Sequence, residues 1–171
     1  MMFYRLAVSL PKARLVALKG LLENIQTQAQ AKNMSDEEVL GLRLAPDMFD
    51  FKRQVQIATD NAKGAAGRLT GKEIPSFEDT ESSFAELITR VEKTIAYLDT
   101  FSEADFVGAA ERKVELIYFK DMHFTGEGYL VEYFIPNFHF HLVTAYNIAR
   151  NAGFELGKKD FMFQIPLIPN A

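Results

Sequence analysis

The sequence contains no cysteine and no tryptophan, only three histidines, and no apolar stretch long enough to span a bilayer. Without cysteine there can be no disulfide, no thiolate zinc site and no thiol nucleophile. The lack of disulfides fits a reducing cytoplasm, where the protein is expected to reside. A secretory leader is not expected: the apolar run Leu6-Ala7-Val8 is short, and Arg5, Pro11, Lys12 and Arg14 interrupt the region. An excess of positive charge is missing too. Lys and Arg number 19 against 23 Asp and Glu, a net charge of -4, and the densest basic group, Lys12, Arg14 and Lys19, is sparse. A nucleic-acid partner is therefore not expected, since such proteins usually carry a basic face. No internal repeat or low-complexity linker divides the chain, and residues 1–171 are read as one domain.

What is present points to a helical globule. A chain of 171 residues, 48% hydrophobic and 25% charged, can bury a substantial core, and 15 Phe rings will fill much of it. Four segments carry apolar residues at helical spacing. The first runs from about Phe3 to Lys32, with Leu15, Leu18, Leu22 and Ile25 on one stripe. Pro11 lies inside it, so the helix is expected either to start near that residue or to kink there. Ser35-Asp36-Glu37-Glu38 reads as a capping box opening a short helix through Leu40.

The second long helix is predicted from Asp47 to about Leu69. Its seam is Met48, Phe51, Val55, Ala58, Ala62, Ala65 and Leu69, with Gly71 as its stop. The small residues of that seam predict close approach of a neighbouring helix. The third helix begins near Thr80 or Ser83, where Ser83 and Glu86 have capping-box spacing and Glu81 suits the positive end of the dipole. Its seam is Phe84, Leu87, Val91, Ile95 and Leu98, and it ends by about Phe101. The period then changes. Lys113 to Phe119 reads as a strand, Lys120 to Met122 as a turn and His123 to Glu127 as the returning strand. The fourth helix is expected from around Gly128 to Ala152, bent or delayed by Pro136 and capped by Gly153. Its seam is Phe134, Phe138, His141, Ala145, Ile148 and Ala152. The tail holds Phe161, Phe163, Ile165, Leu167 and Ile168, and is expected to pack along the bundle or along a partner subunit.

Candidate chemistry is thin. His139 and His141 lie two apart, which turns them to nearly opposite helix faces at about 100 degrees per residue, so they cannot share one metal. His141 sits on the seam; His139 and His123 suit a surface or interface. Asn137 lies one turn before His141, and Gln54 projects beside the seam of the second helix. Gln54, Asn137 and His141 form a candidate polar pocket in the bundle core. The alternatives are a hydrogen-bonded buried histidine with solvated amides. Asp47, Asp50 and Glu132 sit near helix starts, where dipole compensation accounts for them. No serine–histidine–aspartate grouping, phosphate loop or paired histidines on one face is present.

Certain residues carry a family resemblance over nearly the whole chain. They are Leu44-Ala45-Pro46-Asp47-Met48-Phe49 with Gln54-Val55, then Pro136-Asn137-Phe138-His139-Phe140-His141, Ala145-Tyr146, Arg150, Gly153, Gly157-Lys158 and Asp160. In these the chain resembles the DinB/YfiT-like superfamily, in a bacterial branch of unknown function. The resemblance implies an all-α four-helix bundle in up-down-down-up order, often assembled as a homodimer; the two strands read above would make a small β-hairpin inserted between its third and fourth helices. It also implies a divalent metal held by three histidines, one on the second helix and two spaced four apart on the fourth, used by some members for thiol-dependent transferase or hydrolase chemistry. Of those ligands only His141 is matched here. Asn137 and Ala145 stand at its partner positions, and 48–69 holds no histidine. The expected function is a dimeric scaffold, non-catalytic or binding a small ligand, that has lost the three-histidine site and needs no cofactor. The alternative is a thiol transferase or hydrolase, metal-dependent or assisted by His141 alone.

Overall fold

The computed structural model describes residues 2–162 and 165–170. Its first helix, α1, spans 2–31 and runs through Pro11 without a break. A π-helical stretch, Arg5–Ser9, precedes the proline, and the Leu10 amide reaches back five residues to the Arg5 carbonyl. Proline offers no amide and crowds the carbonyl four residues earlier. One extra residue in the turn relieves that crowding, so the expected start or kink at Pro11 is replaced by a local widening. Helix α2, Asp36–Leu40, opens on the capping box of Ser35 and Glu38.

Helix α3 is Phe51–Thr70, four residues shorter at its start than predicted. Its N-cap is Asp50, whose carboxylate accepts from the Arg53 amide at 2.8 Å. The upstream segment instead forms a turn, with the Met48 amide on the Ala45 carbonyl. From Phe51 onward the predicted seam is fully buried. Gly71 ends the helix in the left-handed region at φ 76°. Helix α4, Phe84–Leu98, starts from the predicted Ser83–Glu86 capping box. A 3-10 turn, Glu103–Phe106, follows.

The hairpin is smaller than expected: β1 is Lys113–Val114 and β2 is Phe124–Thr125, paired antiparallel with Val114 opposite Phe124. The predicted longer strands do not form, because Ile117, Tyr118 and Met122 leave the sheet as an exposed loop with no facing surface to bury them. Glu127 belongs not to the strand but to the next helix. Helix α5 spans 126–151 and repeats the device of α1. A π-helical stretch, Tyr129–Phe134, precedes Pro136, and the Ile135 amide reaches Leu130. Gly126 is required where α5 begins, since a Cβ there would fall 1.7 Å from the Ala109 carbonyl oxygen. Helix α6, Lys158–Met162, folds back onto α1.

Cross-helix pairs give the order. Lys12 meets Asp99 and Lys19 meets Glu92, so α1 and α4 are antiparallel. Thr59 meets Arg90 and Gly67 lies against Tyr97, so α3 and α4 are parallel. Gln54 meets His141 and Arg68 meets Tyr129, so α3 and α5 are antiparallel. Lys32 reaches the Gly153 carbonyl, bringing the C-terminal ends of α1 and α5 together. The result is an up-down-down-up bundle with one contiguous apolar core. No helix among the described residues is long and apolar enough to cross a membrane.

Tyr133 is sheltered by the hairpin, against Phe119 and Phe124, and stacks on Tyr129. Beyond α5, Phe154 and Leu156 are buried in the core and Phe161 packs edge-on to Tyr146, while Leu167 and Ile168 are exposed. Phe163 lies outside the described residues.

The 71–83 connection is held by Arg90, buried between α3 and α4. Its guanidinium reaches Glu81 at 2.9 Å, Asp60 at 2.8 Å, Asp79 at 3.0 Å and the Glu78 carbonyl at 3.1 Å. Glu81, read from sequence as a dipole partner, is a buried member of this network and also accepts from Gln56 at 2.7 Å. Removing one member of a buried ionic group leaves the others unpaired, which costs about 3–5 kcal/mol. Arg90→Leu is therefore expected to lower the unfolding free energy in urea by about 3 kcal/mol or more. Lys12→Ala, breaking an exposed pair, should stay within about 1 kcal/mol. A loss for Arg90→Leu no larger than that of Lys12→Ala would show the network to be incidental.

Candidate functional site

The seam between α3 and α5 is where chemistry and fold meet. Most of it is apolar, but Gln54, Asn61 and Arg68 recur at intervals of seven, two helical turns apart, and so lie on one line of α3. Each meets a polar partner on α5. His141 Nδ1 lies 2.7 Å from Gln54 Oε1. Asn137 Nδ2 donates to Asn61 Oδ1 at 3.1 Å. Arg68 Nη1 donates to the Tyr129 hydroxyl at 3.4 Å. The structure thus brings Gln54 and His141 together and places Asn137 on a separate rung with Asn61. The three candidate residues do not converge on one cavity.

The first rung has a defined proton arrangement. Gln54 Nε2 donates to the Phe49 carbonyl at 3.1 Å, which turns Oε1 toward the imidazole. Amide oxygen only accepts, so His141 Nδ1 carries the proton and donates. His141 is 8% exposed. Burial, with the Arg53 charge adding to it, pushes its pKa down to about 4. The imidazole is neutral at pH 7 and gives α5 a polar tie to α3 without a buried charge.

His139 is set apart from this seam. Its Nδ1 donates to the Ile135 carbonyl one turn earlier at 2.8 Å, and its ring faces a groove toward α1. His123 is exposed beside β2. Asp50 is a helix cap, as sequence spacing implied.

Sequence reasoning did not find Asn61, Arg68 or Arg90. The first two were legible as polar residues repeating at seven-residue spacing from Gln54. Arg90 was legible as a charge beside Leu87 and Val91 on an otherwise apolar face. The second rung is incompletely satisfied: Asn61 Nδ2 is buried and has no hydrogen-bond partner among the described residues.

An open catalytic zinc site takes three protein ligands. The resemblance places two ligands four apart on α5, one at His141 and its partner at Asn137 or Ala145, and a third on α3, which holds no histidine. The Asn137 amide is engaged with Asn61, and Ala145 offers a methyl group. Among the described residues no three His, Cys, Asp or Glu side chains are grouped to hold a metal. This donor set does not fit the metal that the resemblance implies.

The depressed pKa of His141 has a consequence for stability. The folded value, about 4, lies below the unfolded value near 6.5. The unfolded chain therefore binds the proton more readily. The contribution is complete above about pH 6.5 and is lost as pH falls through about 4. Its full size is on the order of 3 kcal/mol. Urea unfolding of the wild type should weaken between pH 6.5 and 4, and His141→Gln should flatten that part of the profile. Equal slopes for the two proteins would assign the acid sensitivity elsewhere.

A family model described as "Domain of unknown function (DUF1993)" matches residues 3–162. The crystal structure of a DinB family member protein from Shewanella denitrificans is 37% identical in sequence. The match covers 99% of this chain and 96% of that one, with a TM-score of 0.95. No curated protein matches the chain.

Proposed function

The chain belongs to the DinB-like superfamily, in the family of unknown function DUF1993, and we propose that it acts there as a homodimeric scaffold, non-catalytic or binding a small ligand. On this reading it has lost the three-histidine metal site and needs no cofactor. The observation that carries the reading is the His141–Gln54 hydrogen bond at 2.7 Å. It joins the two helices that a metal would otherwise bridge, and it does so with side chains that satisfy each other.

The alternative, His141 as a metal-free acid or base in a transferase or hydrolase, has one observation in its favour. Nε2 has no hydrogen-bond partner among the described residues and is not among the buried unpaired atoms, so solvent reaches it. Its basicity weighs against that role. General acid–base catalysis works best with a pKa near the working pH. A group at about 4 is almost wholly deprotonated at pH 7 and a weak base there.

Dimerisation is supported by the outer face of α5. Phe140 is 55% exposed and Val143, less than one turn further, is 40% exposed. Adjacent large apolar side chains on a helix surface call for a covering partner. Neither the hairpin nor α6 covers them. Pro136, one turn before Phe140, extends the same stripe.

Two measurements test the proposal. Light scattering at micromolar concentration should give twice the chain mass, and Phe140→Glu should give the monomer. A wild-type monomer whose mass does not change on concentration contradicts the dimer. Elemental analysis of protein purified without an affinity tag should find no stoichiometric transition metal. About one zinc or nickel per chain surviving chelator treatment would overturn the metal-free reading.

A further inference from the structure

Arg68 stands in the last turn of α3, at the hairpin end of the seam, and about 21 Å along the helix from Gln54. Its guanidinium turns back along the helix instead of extending past the end. A Cβ built on Gly64, one turn earlier, would fall 2.1 Å from Arg68 Nη1 and 3.3 Å from Cζ. The guanidinium therefore fills the place where any other residue would put a side chain. There it meets only a neutral partner: Nη1 donates to the Tyr129 hydroxyl at 3.4 Å, and no carboxylate among the described residues pairs with it. Arg53 and Arg90 each hold a carboxylate instead.

The groups beside Arg68 are donors with uncovered rings. Tyr129 and Tyr133, one turn apart on α5, stack at 5.9 Å. Burial raises both phenols above the ordinary tyrosine range, so both keep their protons at pH 7 and can donate. The Arg68 charge bears on both hydroxyls, and Tyr118 of the hairpin loop bears on that of Tyr133. The Tyr133 hydroxyl has no hydrogen-bond partner among the described residues. Phe119 lies edge-on to the Tyr133 ring, yet Phe119 is 42% exposed and Tyr118 77% exposed. A cation, a spare phenol donor and uncovered aromatic faces match a ligand with an aromatic body and a negative end. One guanidinium among neutral donors balances a single charge, and its planar fork fits a carboxylate through two parallel bonds.

We propose that Arg68 and the Tyr133 hydroxyl bind the carboxylate of a small aromatic acid, whose ring lies against Tyr118 and Phe119. This gives the ligand-binding arm of the proposed function a place and a chemistry; it rests on that arm, and on neither the dimer nor the missing metal.

Benzoate is the probe. The full chain, labelled with nitrogen-15, is titrated at pH 7 and constant ionic strength while backbone and arginine side-chain signals are followed by nuclear magnetic resonance. The expected result is saturable one-site movement of the Arg68 Nε–H signal together with the amides of Gly64, Tyr129 and Tyr133. Benzyl alcohol, which keeps the ring and loses the charge, should bind at least about tenfold more weakly, as should benzoate to Arg68→Gln, since each removes a charge-assisted pair. Gly64→Ala separates binding from folding. Alanine suits a helix better than glycine, and the three atoms nearest the added Cβ all belong to the Arg68 guanidinium. This variant should melt no lower than the wild type and still bind benzoate more weakly, because the guanidinium is displaced. Absence of saturable shifts overturns the proposal. So do shifts centred on Gln54 and His141, equal affinity for benzyl alcohol, or full affinity in either Arg68→Gln or Gly64→Ala. Any of these removes the site and leaves the light-scattering and elemental measurements to decide the scaffold on their own.

Discussion

The tie between α3 and α5 is the constraint around which the rest of the bundle is arranged. These two helices approach closely because the core side of α3 is built from Ala58, Ala62 and Ala65, each fully buried. Polar groups drawn into that seam gain by pairing across it. Gln54–His141, Asn61–Asn137 and Arg68–Tyr129 do so in succession, with Asn61 Nδ2 left unpartnered among the described residues. They also fix the antiparallel register. A slide of either helix would leave amides and an imidazole facing apolar surface, which costs more than the few ångströms of apolar contact exchanged.

The second constraint is set by the two prolines. Pro11 and Pro136 each lie within a long helix that must stay continuous to reach the far end of the core. In both, the residue before the proline bonds five residues back, and the turn widens instead of breaking. The widening in α5 places Tyr129 and Tyr133 over the hairpin, where Phe119 and Phe124 meet them.

Much of this was legible in the chain itself. Ser35, Ser83, Gly71 and Gly153 mark helix ends by local rules of capping and handedness, and they act where those rules put them. The seams of the four helices follow from apolar spacing alone. Other features depend on distant partners and left weaker marks. The start of α3 moved to Phe51 because Asp50 caps it, although Asp47 offered an equally good local signal. The strands shrank because the loop beyond Val114 has nothing to pack against. At the candidate site the pairing of Gln54 with His141 spans 87 positions, and the diversion of Asn137 to Asn61 spans 76. No local pattern distinguishes those pairings from solvated amides, so the sequence named the residues without assigning their partners.

The most direct test of a hydrogen-bonded tie in place of a metal bridge is a double-mutant cycle on Gln54→Leu and His141→Leu, measured by urea unfolding at pH 7 after chelator treatment. Residues in direct contact couple by about 0.5–3 kcal/mol, and a buried hydrogen bond is worth about 1 kcal/mol. The account requires a favourable coupling of about 1 kcal/mol that added zinc leaves unchanged. A coupling indistinguishable from zero, or one that emerges only when zinc is present, would contradict it.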